Sequence, residues 1–171
     1  IFKLPKGDEL ISTVFVKKTD EIIFATALGQ SMRTKESDFR EMGRGAGGVR
    51  GMKLGKGDAV IGADVIRSGE EKGEFLILGS NGFGKKTPLS EYKTQNRGGS
   101  GIKTAKVTEK TGKIIVARVV RGDESELIAM SKKGQVIRTD ADSIPSLGRD
   151  TQGVTIMKLR PGDGIASVAF L

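Results

Sequence analysis

The sequence contains no cysteine and no histidine. Without these residues the chain cannot form Ser-His or Cys-His nucleophilic systems, imidazole general bases, or zinc sites built from Cys or His ligands. The absence of cysteine also fits a reducing cytoplasm. Most familiar enzyme classes are therefore excluded, and we expect neither a metal site nor a cofactor in this chain.

Long apolar runs and aromatic residues are scarce as well. The apolar runs are short, such as residues 165–171, whereas a membrane span needs about 18 apolar residues, and no signal-peptide pattern opens the chain. The seven phenylalanines, one tyrosine and absent tryptophan argue against base stacking on single strands as a main mode of binding. We expect a soluble protein and, from the strand-like pattern that runs to Leu171 and the start at Ile1, a piece of a longer chain.

Positive charge and glycine are in excess. The 29 Lys+Arg against 21 Asp+Glu give a net charge of +8, and the pI is about 9.8. This balance is typical of proteins that bind polyanions, although a merely well-solvated basic surface has the same composition. Glycine contributes 25 of the 171 residues, about twice its usual share of roughly 7%.

The glycines mark an internal repeat of about fifty residues. A glycine followed five residues later by a threonine recurs in LGQSMRT (28–34), NGFGKKT (81–87) and KGQVIRT (133–139). An arginine stands ten residues after each threonine, and a lysine follows at a fixed place. The arginines are Arg44, Arg97 and Arg149, and the lysines are Lys53, Lys106 and Lys158. The repeat divides the chain into the tail of a unit, 1–16, and three complete units, 17–69, 70–122 and 123–171.

Each unit holds apolar runs of four to eight residues rich in β-branched side chains, which predicts about four strands per unit. One helical turn is predicted at 37–42, and VRGMKL (49–54) is predicted to be a strand. Four-stranded units repeated at this length indicate the blades of a β-propeller, which closes with roughly 4–8 blades. The predicted fold is therefore all-β, with propeller-like antiparallel blades that form a partial disc.

Two glycine-rich stretches resemble nucleotide-binding motifs. GSNGFGKK (79–86) lacks the Ser or Thr that completes a P-loop, and GRGAGG (43–48) satisfies G-x-G-x-x-G. Both motifs require a helix after the loop, so that its N-terminus faces the phosphates. The repeat predicts strands at these places instead, with FGKKT equivalent to SMRT and QVIRT, and we expect no nucleotide site.

The stretch Gln95-Asn96-Arg97-Gly98-Gly99-Ser100-Gly101 resembles the seven-residue box of the DNA gyrase A subunit, which reads Gln, basic, Arg, Gly, Gly, basic, Gly. Asn96 and Ser100 depart from the box, since both stand where it is basic. EMGRGAGGVRGMKLGKGD, FGKKTPLSEYKTQNRGG and SLGRDTQGVTIMKLRPGD also resemble successive repeats of that subunit's C-terminal domain. The resemblance covers the whole chain.

This resemblance implies a β-pinwheel, a disc whose blades exchange strands, in a bacterial protein of the cytoplasm and nucleoid. Duplex DNA bends around its basic rim, which supports ATP-dependent negative supercoiling. In the family, strand cleavage uses a tyrosine of the N-terminal part and ATP binds the B subunit, so the implied partners are DNA, the B subunit, and the rest of the A subunit. Tyr92, aligned with Phe39 and Ile144, is expected to pack between strands.

Basic residues at repeated positions are the candidates for sequence-independent contacts with the DNA backbone. They are the arginine of the box, the base before the threonine, the lysine of the third strand, and two neighbouring lysines. The predicted set is Arg33, Arg44, Lys53, Lys85, Lys86, Arg97, Lys103, Lys106, Arg138, Arg149 and Lys158. Glycines around Arg97 leave backbone N–H groups uncovered, as in an anion-binding nest. The arginine could instead close a tight connection between blades.

Two other functions remain open from the sequence. The corresponding domain of topoisomerase IV shares the repeat but usually degrades the box, and a propeller-like scaffold could present its basic rim to an acidic protein. Regular basic positions in every unit speak against the scaffold, because protein interfaces gather aromatic anchors in one place. A partial disc also exposes strand edges, which invite self-association.

Overall fold

The computed structural model describes residues 4–121 and 126–171, and it folds them into eleven strands and three short 3₁₀ turns. The strands are β1 (Glu21–Thr26), β2 (Gln30–Lys35), β3 (Val60–Ile66), β4 (Glu74–Gly79), β5 (Phe83–Pro88), β6 (Ile102–Lys103), β7 (Ile114–Val120), β8 (Glu126–Ser131), β9 (Val136–Asp140), β10 (Val154–Thr155) and β11 (Ile165–Phe170). The turns are Glu36–Asp38, Leu89–Glu91 and Ala141–Ser143. The all-β prediction is confirmed, but only residues 37 and 38 of the helical turn predicted at 37–42 lie in the 3₁₀ turn Glu36–Asp38, since the backbone is extended at Phe39.

The strands form three antiparallel sheets in the orders β3-β1-β2-β6, β10-β5-β4-β7 and β11-β8-β9. Each sheet is built on one hairpin, β1-β2, β4-β5 or β8-β9, which comes from a single repeat. The first sheet takes β6 from the second repeat, and the second sheet takes β10 from the third. Neighbouring blades therefore exchange strands, as the resemblance implied. The proposed unit boundary between 122 and 123, and residues 1–3 of the tail, lie outside the described residues.

The predicted strand at residues 49–54 is wrong. The equivalent segments of the second and third repeats contribute β6 and β10, each two residues long, and each pairs with the hairpin of the preceding repeat. Residues 4–20 contain no strand, so residues 49–54 have no such hairpin within the described part of the chain. A strand needs a partner for its backbone N–H and C=O groups, and the repeat pattern predicts the segment without supplying that partner.

The core lies between adjacent sheets, and β4 contributes to both of its halves. Phe75 and Ile77 pack in the cluster shared with the first sheet, whereas Leu76 and Leu78 pack in the cluster shared with the third. Successive side chains of a strand point to opposite faces, so a strand covered on both faces carries a continuous apolar run. This explains why FLIL lacks the alternation of a half-exposed strand.

Glycine is required where the exchanged strand enters each blade. Gly101 and Gly153 have φ of +72° and +77°, and a Cβ atom would lie 2.4 Å from the carbonyl oxygen of Ser31 or Gly84 respectively. A side chain at either position would meet both a left-handed backbone and a backbone clash. In the described residues, no helix is long and apolar enough to cross a membrane.

Candidate nucleic-acid interface at the junctions between repeats

The three arginine loops, residues 42–48, 95–101 and 147–153, lie at the same position inside each repeat, and the second and third lead into the exchanged strands β6 and β10. In the second loop, Arg97 donates from Nε to the carbonyl oxygen of Asp38 at 2.8 Å and from Nη1 to that of Arg50 at 3.2 Å. The side chain is nevertheless exposed, and in the described part of the chain its Nη2 has no protein acceptor. Arg97 thus fastens the second repeat to the first and keeps one nitrogen toward solvent.

Arg149 makes the corresponding connection between the second and third repeats. Its Nη1 donates to the carbonyl oxygen of Lys103 at 3.1 Å, and its Nε lies 3.7 Å from a carboxylate oxygen of Glu91. Lys103 and Glu91 occupy the repeat positions of Arg50 and Asp38. The interpretation of the arginine as a connection between blades is therefore supported at both junctions, and contact with DNA remains a proposal.

Arg44 of the first loop is exposed and has no preceding hairpin to contact in the described residues. Lys103, at the end of β6, is also exposed and lies 3.5 Å from a carboxylate oxygen of Asp150. Both side chains are accessible to a ligand, although Asp150 partly neutralises the charge of Lys103.

The lysines Lys53, Lys106 and Lys158 are exposed in all three repeats. The preceding residue is buried in each case, as Met52, Ala105 or Met157, so the extended backbone turns the lysine outward. Lys106 and Lys158 follow β6 and β10 and do not lie within them, contrary to the predicted third strand.

Backbone hydrogen bonds place two of these lysines beside arginine loops. The amide of Lys53 donates to the carbonyl of Gly99 at 2.8 Å, and the amide of Lys106 donates to that of Thr151 at 2.9 Å. A lysine from one repeat thus lies beside the arginine loop of the next repeat. Each junction collects positive charge from two repeats, and the contacts recur at the same places.

The base before the threonine has a structural role in the first two repeats. Arg33 is 8% exposed, pairs with Glu21, and donates from Nη1 to the carbonyl of Leu89 at 3.1 Å. Lys86 is 6% exposed, with Nζ 2.9 Å from a carboxylate oxygen of Glu74. These side chains do not reach the surface in this structure, and a carboxylate beside each of them compensates the buried charge.

Arg138, the corresponding base of the third repeat, is exposed and pairs with Glu126. The three acids precede their bases by twelve residues, a spacing that recurs with the repeat and was a sequence signal for these pairs. Desolvation by itself would raise the pKa of Glu74, but hydrogen bonds from Ser146 and Lys86 outweigh it and lower the pKa of this carboxyl.

Lys85 was predicted to face DNA, but its side chain is fully buried at 0% exposure. Its Nζ donates to the carbonyl oxygens of Gly148 and Arg149, in the third arginine loop. Burial lowers the pKa of Lys85 to about 8, since the charged form loses its hydration. Arg33, Lys85 and Lys86 are thus internal, and a surface for DNA has to be built without them.

Tyr92 packs in the core as expected. It is 2% exposed, its ring lies edge-on to Phe75 with 5.6 Å between centroids, and its hydroxyl lies 2.6 Å from Oγ1 of Thr104. Burial raises the pKa of this phenol.

The structure also exposes bases that the sequence pattern did not single out. They are Arg50, beside Arg97, and Lys56 and Arg160 in the turns after the recurrent lysines.

These features define a class: a propeller-like repeat protein whose blades exchange strands and whose junctions carry recurrent basic side chains. The family model described as DNA gyrase C-terminal domain, beta-propeller, matches residues 20–67, 73–121 and 125–171. The chain belongs to this family.

Curated relatives agree with this assignment. The chain is 43% identical over 164 residues to the DNA gyrase A subunit of Staphylococcus epidermidis, with 96% of the chain and 18% of the relative covered. It is 40% identical over 172 residues to the DNA gyrase A subunit of Aminobacterium colombiense, with 100% of the chain and 20% of the relative covered. The chain therefore spans about a fifth of the length of these relatives.

Solved structures show the same architecture. A DNA gyrase A C-terminal domain superposes with a TM-score of 0.81 at 29% identity, covering 91% of this chain and 52% of that chain. The C-terminal domain of DNA topoisomerase IV superposes with a TM-score of 0.89 at 20% identity, covering 99% of this chain and 52% of that chain. The second similarity shows the fold alone, and the curated relatives favour gyrase A over topoisomerase IV.

Proposed function

We propose that this chain binds the backbone of duplex DNA along the exposed bases of its junctions and bends the duplex around its rim. The observation that carries the proposal is the recurrence of Lys53, Lys106 and Lys158 as exposed lysines, two of them hydrogen-bonded through their backbone to an arginine loop. Backbone phosphates repeat along DNA, so a surface that repeats its positive charge suits them without reading sequence.

The revised set of DNA contacts contains exposed bases and the half-buried Arg149. It comprises the three recurrent lysines, the arginines of the loops and three further bases: Lys53, Lys106, Lys158, Arg44, Arg97, Arg149, Arg50, Lys103 and Arg138. Bending a site of 20–30 bp costs on the order of 1–6 kcal/mol, so several modest contacts along an arc are needed to stabilise the bent form.

In the longer protein, this bending would support ATP-dependent negative supercoiling by gyrase. We assign the chain no catalytic step, because strand cleavage belongs to the rest of the A subunit, whereas ATP binding belongs to the B subunit. Both are its proposed partners, together with DNA. The proposed location is the bacterial cytoplasm, in association with the nucleoid. No cofactor is proposed for this chain.

The test is binding to a duplex of about 40 bp in a salt series, comparing the wild-type chain with Lys106→Met. Affinity falls as salt rises, and each lost phosphate contact makes the negative slope of log affinity against log salt shallower by about 0.9. Lys72→Met is the matched control, because Lys72 is an exposed lysine outside the proposed set. The proposal predicts a reduced slope for Lys106→Met alone.

Equal slopes for the two variants would contradict the assignment of Lys106 to DNA. If the wild-type chain does not bind the duplex even at low salt, the proposed DNA function of the chain is contradicted. Binding of an acidic protein in place of DNA would support the scaffold function.

A further inference from the structure

Lys85 makes an unusual connection between the second and third repeats. It lies in β5 and is fully buried, and its Nζ donates to the carbonyl oxygens of Gly148 at 2.5 Å and Arg149 at 2.6 Å. A buried ammonium group is tolerated only where acceptors replace its hydration. Here both acceptors belong to the third arginine loop, so the cation of one repeat is satisfied by the loop of the next.

The first junction has no such lysine. The position of Lys85 is occupied there by Met32, which is buried and whose Sδ lies 3.7 Å from the Cβ that an alanine would carry at Gly99. The second arginine loop is held by its own backbone, since the amide of Gly98 donates to the carbonyl of Gly51 at 2.6 Å. Gly98 makes this contact with a left-handed φ of +84°.

Asp150 replaces Gly98 in the third loop, and it does not adopt a positive φ. The corresponding bond, from the amide of Asp150 to the carbonyl of Thr104, is not formed between these two described residues. The third loop therefore lacks one backbone attachment that the second loop has, and Lys85 supplies a side-chain attachment in the same region.

We propose that Lys85 is a positioning residue that fixes the third arginine loop, and with it Arg149, on the second repeat. Lys85 binds the carbonyl of Arg149, while the guanidinium of Arg149 donates to the carbonyl of Lys103. Both ends of Arg149 are thereby attached to the second repeat. The consequence for DNA rests on the proposed function, because it requires Arg149 to contact the duplex.

The charged groups that face Lys85 come from two elements. Burial is the largest influence and lowers the pKa of Lys85 to about 8, Glu91 and Asp150 raise it, and Arg149 lowers it. Glu91 lies in the turn of its own repeat, and the other two lie in the attached loop. The carboxylates partly balance the buried cation, but they do not restore the pKa of an exposed lysine.

The test replaces Lys85 by the residue of the sister position, as Lys85→Met, and measures amide hydrogen exchange across residues 148–153 in the 171-residue chain. We expect exchange in this loop to rise about tenfold, because a local attachment is lost. The urea midpoint at pH 7 should stay equal or rise, because the same change removes a buried charge. If Lys85 only stabilised the core, Lys85→Met would instead lower the urea midpoint and raise amide exchange in the strands.

Restoration of the glycine attachment gives a second, independent readout. In Lys85→Met combined with Asp150→Gly, the third loop regains the residue type that allows the bond seen at Gly98. We expect its exchange to return toward the wild-type rate. Lys72→Met controls for loss of a lysine charge and should leave exchange of residues 148–153 unchanged.

Three outcomes would overturn the proposal: unchanged loop exchange in Lys85→Met, a lowered midpoint with faster exchange throughout the chain, or no recovery in the double variant. Affinity for a duplex of about 40 bp separates this proposal from the proposed function. If the wild type does not bind DNA but loop exchange responds as expected, the DNA function fails and the positioning role stands. If the wild type binds DNA, Lys85→Met should weaken its affinity severalfold.

Discussion

At the junction of the first and second repeats, one attachment of the arginine loop is the backbone amide of a left-handed glycine, whereas at the junction of the second and third the side chain of a buried lysine provides an attachment in the same region. Gly98 donates to Gly51 in the first case, and Lys85 binds the carbonyls of Gly148 and Arg149 in the second. Both junctions nevertheless place an arginine and a lysine at the same repeat positions. The placement of the exposed bases is thus common to the junctions, and the chemistry that supports it differs.

The buried bases Arg33 and Lys86, which precede the loops, also make different contacts at the two junctions. Arg33 reaches from its pair with Glu21 to the carbonyl of Leu89 in the second repeat, whereas Lys86 reaches from Glu74 to within 3.8 Å of the carboxylate of Asp142 in the third. An arginine has five N–H donors in a planar fork and can bind a carboxylate and a carbonyl together. At this repeat position the first junction is therefore joined by a hydrogen bond and the second by a charge pair.

The largest expected loss of stability comes from replacing a glycine that both junctions share. In Gly101→Val or Gly153→Val, the new Cβ would lie 2.4 Å from a backbone oxygen, and φ is left-handed at both places. We expect each variant to lose more than about 4 kcal/mol of unfolding free energy in urea denaturation. Gly43→Ala, at a position with open space and no positive φ, is the control and should lose little. A mild effect at Gly101 would argue against the exchanged strand.

Removal of the base from each acid–base pair should lower the unfolding free energy by a different amount in each repeat. We expect Arg33→Met to cost about 3 kcal/mol and Lys86→Met about 2 kcal/mol, because each leaves a partly buried carboxylate without its partner. Arg138→Met should cost less than about 1 kcal/mol, since that pair is exposed. Urea denaturation of the three variants measures the order. Equal losses at Arg33 and Arg138 would show that burial of the pair does not matter.

The pH dependence of stability should reveal the buried Lys85, which the junction of the second and third repeats has and the other junction lacks. Folding lowers the pKa of Lys85 from 10.5 to about 8, so the folded chain binds fewer protons than the unfolded chain between these values. Stability should therefore rise with pH across this window, by on the order of 2 kcal/mol relative to Lys85→Met. The measurement is urea denaturation of both proteins at pH 7, 8, 9 and 10. Parallel curves would contradict the burial of a charged Lys85.

The smallest expected effect compares the loop arginines themselves. Arg97→Met and Arg149→Met should each lose about 1 kcal/mol of unfolding free energy, because the hydrogen bonds to carbonyls are lost at partly exposed sites. Both variants should also reduce the salt slope of DNA binding by about 0.9. A change of stability without a change of slope would make these arginines connections between blades only.

The fold was largely predictable from the sequence, because the repeat of glycine, threonine, arginine and lysine fixes the strands of each blade. The absence of a strand at residues 49–54 was not predictable, since strand formation there depends on a hairpin of a preceding repeat, which no local pattern reveals. The bases were predicted from their charge and their place in the repeat, which do not distinguish the exposed Lys106 from the buried Lys85. Recurrent acids twelve residues before Arg33, Lys86 and Arg138 could have identified the internal pairs.

The most direct test of the central claim measures DNA bending by energy transfer between dyes at the two ends of a duplex of about 40 bp, which is stiff when free because the persistence length is about 150 bp. The wild-type chain at saturation should bring the ends closer. The triple variant Lys53→Met, Lys106→Met, Lys158→Met should not do so at a matched bound fraction. Saturated binding of the wild type with the end-to-end distance of free DNA would contradict the claim that this rim bends duplex DNA.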